Sequence, residues 1–257
     1  MTARWLQRIA LAFVLPLVLL AAWTYGSRCG WVPEQILPPP DAVWASLADL
    51  WTSGELWTNA LVSLDRVAQG FAAGTAAGFA LGLAMGCSRP VEAYVRPLFT
   101  ALAQVPALGW IPLLMLLVGI GEPLKLIVIA RAVLVPVALN TLAGVRGVPL
   151  PLLEVGRVLR FSRAQMLLRI VLPASVPSVF AGIRYGLTHA WIALVAVELI
   201  ASSEGLGYLL LWGRQMFQLD QVIAAMAVIG ITGFVMDAAL GVMEARLQRR
   251  QPVAVRG

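Results

Sequence analysis

The side chains in this chain that could do chemistry occur in two settings. One is a polar island, EVGRVLRFSRAQMLLRIVLP from Glu154 to Pro173, where Arg157, Arg160, Arg163 and Arg169 lie between long apolar segments. A membrane protein that keeps such an island offers it to a partner in the cytoplasm. The other setting is a scatter of single polar residues inside the apolar segments: Gln104, Arg131, Asn140, Arg184, His189, Glu198 and Asp237. Polar groups there are costly and either pair or line a path for a solute. Arg184 and Asp237 fall about 10 Å and about 9 Å from the same surface by helical rise, so a buried ion pair is expected. Arg131 has no acidic neighbour in its own segment; it pairs with Glu198 or attracts an anion. His189 reads first as a hydrogen-bonded packing residue and second as a relay group.

Catalysis has little to work with. There is no G-x-x-x-x-G-K-[ST] phosphate loop, and a single histidine rules out H-E-x-x-H chemistry. Cys29 and Cys87 fall on opposite sides of the expected membrane, so neither a disulfide nor a metal site is read from them. No catalytic residue, metal ligand or cofactor is assigned.

The elements that position these residues are membrane helices. Hydrophobic residues make up 60% and charged residues 12% of the chain, with a mean hydropathy of +0.84; a soluble domain carries about twice that charge. The 257 residues leave room for about six spans of roughly 20 residues each. They are read as Ile9–Tyr25, Val67–Cys87, Leu98–Ile120, Leu124–Ala143, Pro177–Ala201 and Val222–Met243. The first follows Arg4 and Arg8 but lacks a small-x-small cleavage site, so it reads as an uncleaved anchor rather than a signal peptide. The third is broken by Pro106, Gly109 and Pro112, and such breaks are tolerated only where they face protein or a water-filled cavity. Between the first two spans, Pro38-Pro39-Pro40 stops any helix. Asp41 is then expected to N-cap a short amphipathic helix over Ala42–Trp51, a surface element without a partner. Gly70, Gly74, Gly78, Gly82 and Gly86 recur every four residues, a ridge where another helix can approach closely. Tight packing within one subunit is the first reading, and a contact that slides during transport is the second.

The net charge of +6 does not point to nucleic acid, because the arginines gather in the gaps between spans. Those at 4–8, 89–96, 146–169 and 246–256 share one side, against Arg28, Lys125 and Arg214 on the other and Arg66 at a boundary. The positive-inside rule therefore sets both termini in the cytoplasm.

The island also resembles the docking loop of permease subunits of binding-protein-dependent ABC importers. That pattern is Glu-Ala-Ala, a glycine four residues on, nine residues, then Ile-x-Leu-Pro. Glu154, Ile170, Leu172 and Pro173 match it. Val155 and Gly156 replace the alanines, and Arg160 replaces the glycine that normally allows the bend. Ile36-Leu37-Pro38, Ser53-Gly54-Glu55-Leu56-Trp57, Gln104-Val105-Pro106, Ile111-Pro112-Leu113, Gly119-Ile120-Gly121 and Gly205-Leu206-Gly207-Tyr208 look like the aliphatic-sulfonate, taurine and nitrate branch, nearest its aliphatic-sulfonate permeases.

The resemblance implies an all-α membrane protein of six transmembrane helices, a type I ABC importer permease with cytoplasmic coupling helices. It also implies a multi-pass protein of the bacterial inner membrane, pairing with a second copy of itself, a cytoplasmic ABC ATPase dimer and a periplasmic or extracellular solute-binding protein. Residues 1–58 would form the first span and an interfacial segment, 59–244 the core with its docking loop at 147–173, and 245–257 a cytoplasmic tail. The loop is expected to fold as two short helices across the cytoplasmic face. Val155, Gly156, Val158 and Leu159 would enter an ATPase groove, and Glu154 would cap the element or pair with an arginine. Gln104, Arg131, Asn140, His189 and Glu198 are the candidates for the solute path, with a small organic anion, an aliphatic sulfonate, as the expected solute. Nitrate, taurine or another small solute is the alternative, and an ion-coupled secondary carrier a more remote one. Such a carrier often shows doubled halves, which are not found here.

Overall fold

Polar residues and then glycines mark one face of a single long helix, at 59, 63, 66, 70, 74, 78, 82 and 86, and the rest of the molecule is arranged around that face. The computed structural model describes residues 2–249 apart from position 32, with side chains from 14 to 246. In chain order the helices are α1 (Thr2–Arg28), α2 (Pro40–Thr52), α3 (Glu55–Cys87), α4 (Arg89–Ala103), α5 (Ile111–Val118) and α6 (Glu122–Arg146). They continue with α7 (Leu150–Val158), α8 (Arg163–Met166), α9 (Leu172–Ala201), α10 (Leu206–Gln215) and α11 (Leu219–Arg249). The tail beyond residue 249, and the side chains of Arg4, Arg8 and Arg249 in the charge count, lie outside the described residues.

Helix α6 is the central element, with α3 on one side and α9 on the other. The glycine ridge of α3 faces α6 within the same chain. A Cβ at Gly78 would stand 2.7 Å from the Leu134 carbonyl oxygen, and one at Gly86 would stand 2.7 Å from Val145 Cβ. Only a residue without a side chain lets the two backbones approach so closely. Val67, Ile129, Val133, Val137, Leu187 and Leu194 fill the shared core. Beyond α9, the Trp191 indole donates to the Ile229 carbonyl at 3.2 Å and joins α9 to α11.

Among the described residues, α3, α6, the joined stretch Arg163–Ala201 and α11 are each long and apolar enough to cross a membrane. The chain is an integral membrane protein. The third expected span has a different shape from its reading: α4 starts at Arg89, capped by the Ser88 hydroxyl, and turns by 90° into a 3-10 turn at Ala107–Trp110 and α5. Pro106 lacks the N–H that would continue α4, and the helix ends three residues before it, at Ala103. The fifth span also starts earlier than Pro177. A π-helical stretch, Leu167–Val171, leads into α9 and its wider turn precedes Pro173.

Helix α2 corrects two expectations. Asp41 is not its N-cap; Pro39 holds that position, Pro40 opens the helix, and Asp41 lies in the first turn, where its charge favours the helix dipole. Nor is α2 without a partner. It packs on α11 and α3, buries Leu50, and its Ser46 hydroxyl donates to Asp220. Trp44 and Trp51 face outward.

Candidate functional site

Four of the five polar residues read as a solute path meet at one cavity. The bend between α4 and α5 leaves an open-sided space of about 620 Å³, lined by Gln104 and Val105 at the bend, Arg131 and Asn140 of α6, and His189 and Ile192 of α9. Arg131 is fixed in place. Its Nη2 donates to the carbonyl oxygens of Leu102 and Val105, both at 2.7 Å, and its guanidinium lies 4.8 Å from the centre of the Trp110 ring. The break in α4 frees carbonyls in an apolar setting, and this cation satisfies them. Asn140 Nδ2 donates to the Pro136 carbonyl at 2.8 Å, beside the proline that removes a backbone bond from α6. His189 Nδ1 lies 2.8 Å from the Tyr185 carbonyl oxygen, which is the packing role read first from the sequence.

Glu198 does not belong to this cavity, nor does it pair with Arg131. It is fully buried at the far end of α9 and is held by Arg66. Sequence reasoning placed Arg66 only at a boundary and missed this centre. The guanidinium, 2% exposed, uses all three nitrogens. Nε and Nη2 form a fork on the Glu122 carboxylate. Nη1 reaches Glu198 Oε1 and the Glu204 carbonyl, each at 2.9 Å, and Nη2 reaches Glu204 Oε1 at 2.9 Å. Lys125 also donates to Glu122 at 2.7 Å.

The same carboxylate caps a helix. The backbone amides of Gly205, Leu206 and Gly207, at the start of α10, donate to Asn59 Oδ1, Ser63 Oγ and Glu198 Oε2 at 2.6, 2.8 and 2.9 Å. Those amides have no partner within the helix and form a natural anion seat. Gly205 has φ +110, and a Cβ there would stand 2.6 Å from Glu198 Oε2, so glycine is required on both counts. One signal was available: Asn59, Ser63 and Arg66 lie three and four residues apart, a polar stripe on an otherwise apolar helix.

Arg184 and Asp237 are in contact, with Nε and Nη2 forming a fork on the carboxylate at 2.9 Å each. Glu244 adds a second acceptor at 3.0 Å from Nη1. Both members of the Arg184–Asp237 pair are only half-buried, which tempers the expectation of a buried pair. Arg184→Met is expected to destabilise the protein more than Arg184→Met combined with Asp237→Leu, because the single change strands a carboxylate in the membrane. A double-mutant cycle on the melting temperature in detergent checks this; strict additivity would show that the contact carries no coupling.

The island from Glu154 to Pro173 folds as one short helix and the start of a long one, not as two short helices. Helix α7 ends at Val158; after a turn, the Ser162–Gln165 capping box starts α8, which runs on through the π stretch into α9, giving 39 residues from Arg163 to Ala201. The bend forms without the usual glycine. Arg160 takes φ +52, its amide donates to the Arg157 carbonyl at 3.0 Å, and that of Phe161 donates to the Gly156 carbonyl at 2.9 Å. This is a Schellman closure with a non-glycine residue in the left-handed position. Gly156 is not on the outer face. It is buried, and a Cβ there would stand 2.7 Å from Ile170 Cδ1 and Met166 Cε; the small residue lets α7 lie against the root of α9. Val155, Val158 and Leu159 face outward. Glu154 caps nothing, since Pro149 holds the N-cap of α7, and it forms no ion pair among the described residues.

Comparisons with known proteins agree with this architecture. Residues 74–251 match the family described as "Binding-protein-dependent transport system inner membrane component". The chain is 36% identical, over 97% of its length and 94% of the relative, to an Escherichia coli protein named as an aliphatic sulfonates transport permease, SsuC. It is 33% identical, over 94% of its length and 90% of the relative, to the taurine transport system permease protein TauC of the same organism. The crystal structure of an amino acid ABC transporter shares the fold with a TM-score of 0.60 at 16% identity, covering 80% of this chain and 98% of that one.

Proposed function

Because this chain belongs to the family of binding-protein-dependent transport system inner membrane components, we propose that it is the permease subunit of an ABC importer for an aliphatic sulfonate. The observation that carries the solute is the similarity to SsuC, which extends over nearly the full length of both chains. In this reading the protein lies in a bacterial cytoplasmic membrane with both termini inside. Two copies enclose the path, a periplasmic binding protein delivers the solute, and ATP is hydrolysed by partner chains. The cavity of Gln104, Arg131, Asn140 and His189 belongs to that path.

Helix α7 is the ATPase contact. Its outer face carries Val158, 81% exposed, with Val155 and Leu159 beside it, an apolar stripe that has no place in water unless a partner covers it. The arginines of the bend rim that stripe.

Growth on an alkanesulfonate as sole sulfur source, in a strain without other sulfonate importers, tests the assignment. Deletion of the gene should abolish growth and uptake; unchanged growth would reassign the solute, with taurine next in line. Val158→Asp should reduce uptake by about tenfold or more while the protein still inserts, because it sets an unpaired carboxylate in the contact. Normal uptake by that variant would remove α7 from the coupling role.

A further inference from the structure

We propose that the cavity beside the α4–α5 bend is an internal binding station that takes a sulfonate group at Arg131 and an alkyl chain beyond it, and that discriminates against aminosulfonates such as taurine. The proposal rests on the reading of this chain as a sulfonate permease and adds a site and a selectivity to it.

Three observations lead to it. First, the described arginines that enter the apolar interior are treated differently. Arg66 and Arg184 are neutralised by carboxylates, whereas Arg131 touches only two neutral carbonyls and an aromatic ring. Glu198, on the adjoining helix, is taken by Arg66. Arg131 therefore keeps a full positive charge at the cavity wall, where the medium screens it poorly.

Second, its hydrogen-bonding capacity is only partly used. Nη2 is committed to the Leu102 and Val105 carbonyls, while Nε and Nη1 donate to nothing among the described residues. A guanidinium so held offers its free Nε–H and Nη1–H groups to an oxyanion, each as a single charge-assisted donor. The carbonyl contacts that close the break in α4 also keep the cation from folding away from the space.

Third, the rest of the wall is neutral. Ala132, Val135, Leu139 and Ile192 are apolar, Gln104 and Asn140 are amides, His189 is an imidazole whose Nδ1 is taken by the Tyr185 carbonyl, and no carboxylate is among the lining residues. An alkyl chain finds apolar surface there. An ammonium group finds only neutral acceptors and no counter-charge there, so its desolvation is poorly offset. The space of about 620 Å³ is within the range of small-molecule sites and leaves room for chains of different length, so charge pattern rather than length is what it selects.

The test uses the importer with its ATPase in lipid nanodiscs, without the binding protein, and measures equilibrium binding of radiolabelled 1-pentanesulfonate and of taurine. The wild type should bind 1-pentanesulfonate at least about tenfold more tightly than taurine, and Arg131→Gln should lose about tenfold or more in sulfonate affinity. Because Arg131 also holds the bend, Gln104→Glu serves as a second variant. It leaves those carbonyl contacts in place, sets a carboxylate in the cavity, and should shift the preference towards taurine by about tenfold. No binding of 1-pentanesulfonate, equal binding of the two solutes, or an unchanged ratio in Gln104→Glu would each overturn the station. Cellular uptake separates the two levels. If sulfonate uptake is intact and indifferent to both substitutions, the station fails and the permease assignment stands. If the wild-type chain supports no sulfonate uptake, the assignment itself fails.

Discussion

Replacing Arg66 by methionine should abolish transport and lower stability by about 3–5 kcal/mol, the cost of leaving the buried Glu198 carboxylate without its cation. Glu198 is fully buried, and its charge would face only the Ser63 hydroxyl and the Gly207 amide. Adding Glu198→Gln to Arg66→Met should recover part of the loss, since a glutamine can still accept from Gly207 and carries no charge. Recovery stays incomplete because Glu204 loses its cation as well and Glu122 keeps only Lys125. Melting temperature in detergent reads the effect, and limited proteolysis between 201 and 206 reads its location. An Arg66→Met protein that melts like the wild type would show that the network is decorative.

Gly78→Leu is the second large effect expected, and it acts by distance rather than charge. The new Cβ would press on the Leu134 carbonyl oxygen and on Val137 Cβ, at 2.7 and 3.0 Å. Both are fixed parts of α6, so the two helices must separate along a contact that depends on closeness. The variant should fail to accumulate as folded protein in the membrane. Gly230→Leu on α11 is the control, because nothing lies within 4 Å of a Cβ there, and it should accumulate normally. Equal accumulation of the two variants would mean that α3 and α6 need not touch.

Both features bear on what could be read from the chain beforehand. The glycine ridge was visible because a period of four in a long apolar stretch has a geometric meaning. The approach of Arg184 to Asp237 could be worked out because depth follows from helical rise. Gln104, Arg131, Asn140 and His189 stood out singly as polar residues in apolar segments; that they share one cavity while Glu198 lies elsewhere depends on the α4–α5 bend.

The failures share a cause as well. Glu198 is not the partner of Arg131; backbone carbonyls hold that guanidinium, and no residue type announces a freed carbonyl. Arg66 was missed because three of its partners, Glu122, Glu198 and Glu204, come from separate parts of the chain. Gly156 looked like a substituted member of a docking surface, whereas its place is set by Met166 and Ile170. Where a side chain's role depends on the path of the backbone, composition and spacing do not reach it.

The unbroken run from Arg163 to Ala201 has a mechanical consequence. Its 39 residues make a rod about 58 Å long at the α-helical rise. Near one tip, Met166 and Ile170 receive Gly156 of α7; near the other, Glu198 accepts from the Gly207 amide of α10 and from the Arg66 guanidinium. A rod clamped at both tips behaves as a crowbar. Pivoted near its middle, a tilt of about 5° carries each tip roughly 2–3 Å in opposite directions over that length. A displacement of that size exceeds what those two hydrogen bonds can stretch to follow. A push on α7 that tilts the rod must therefore break the Glu198 contacts or carry α10 and Arg66 along with it.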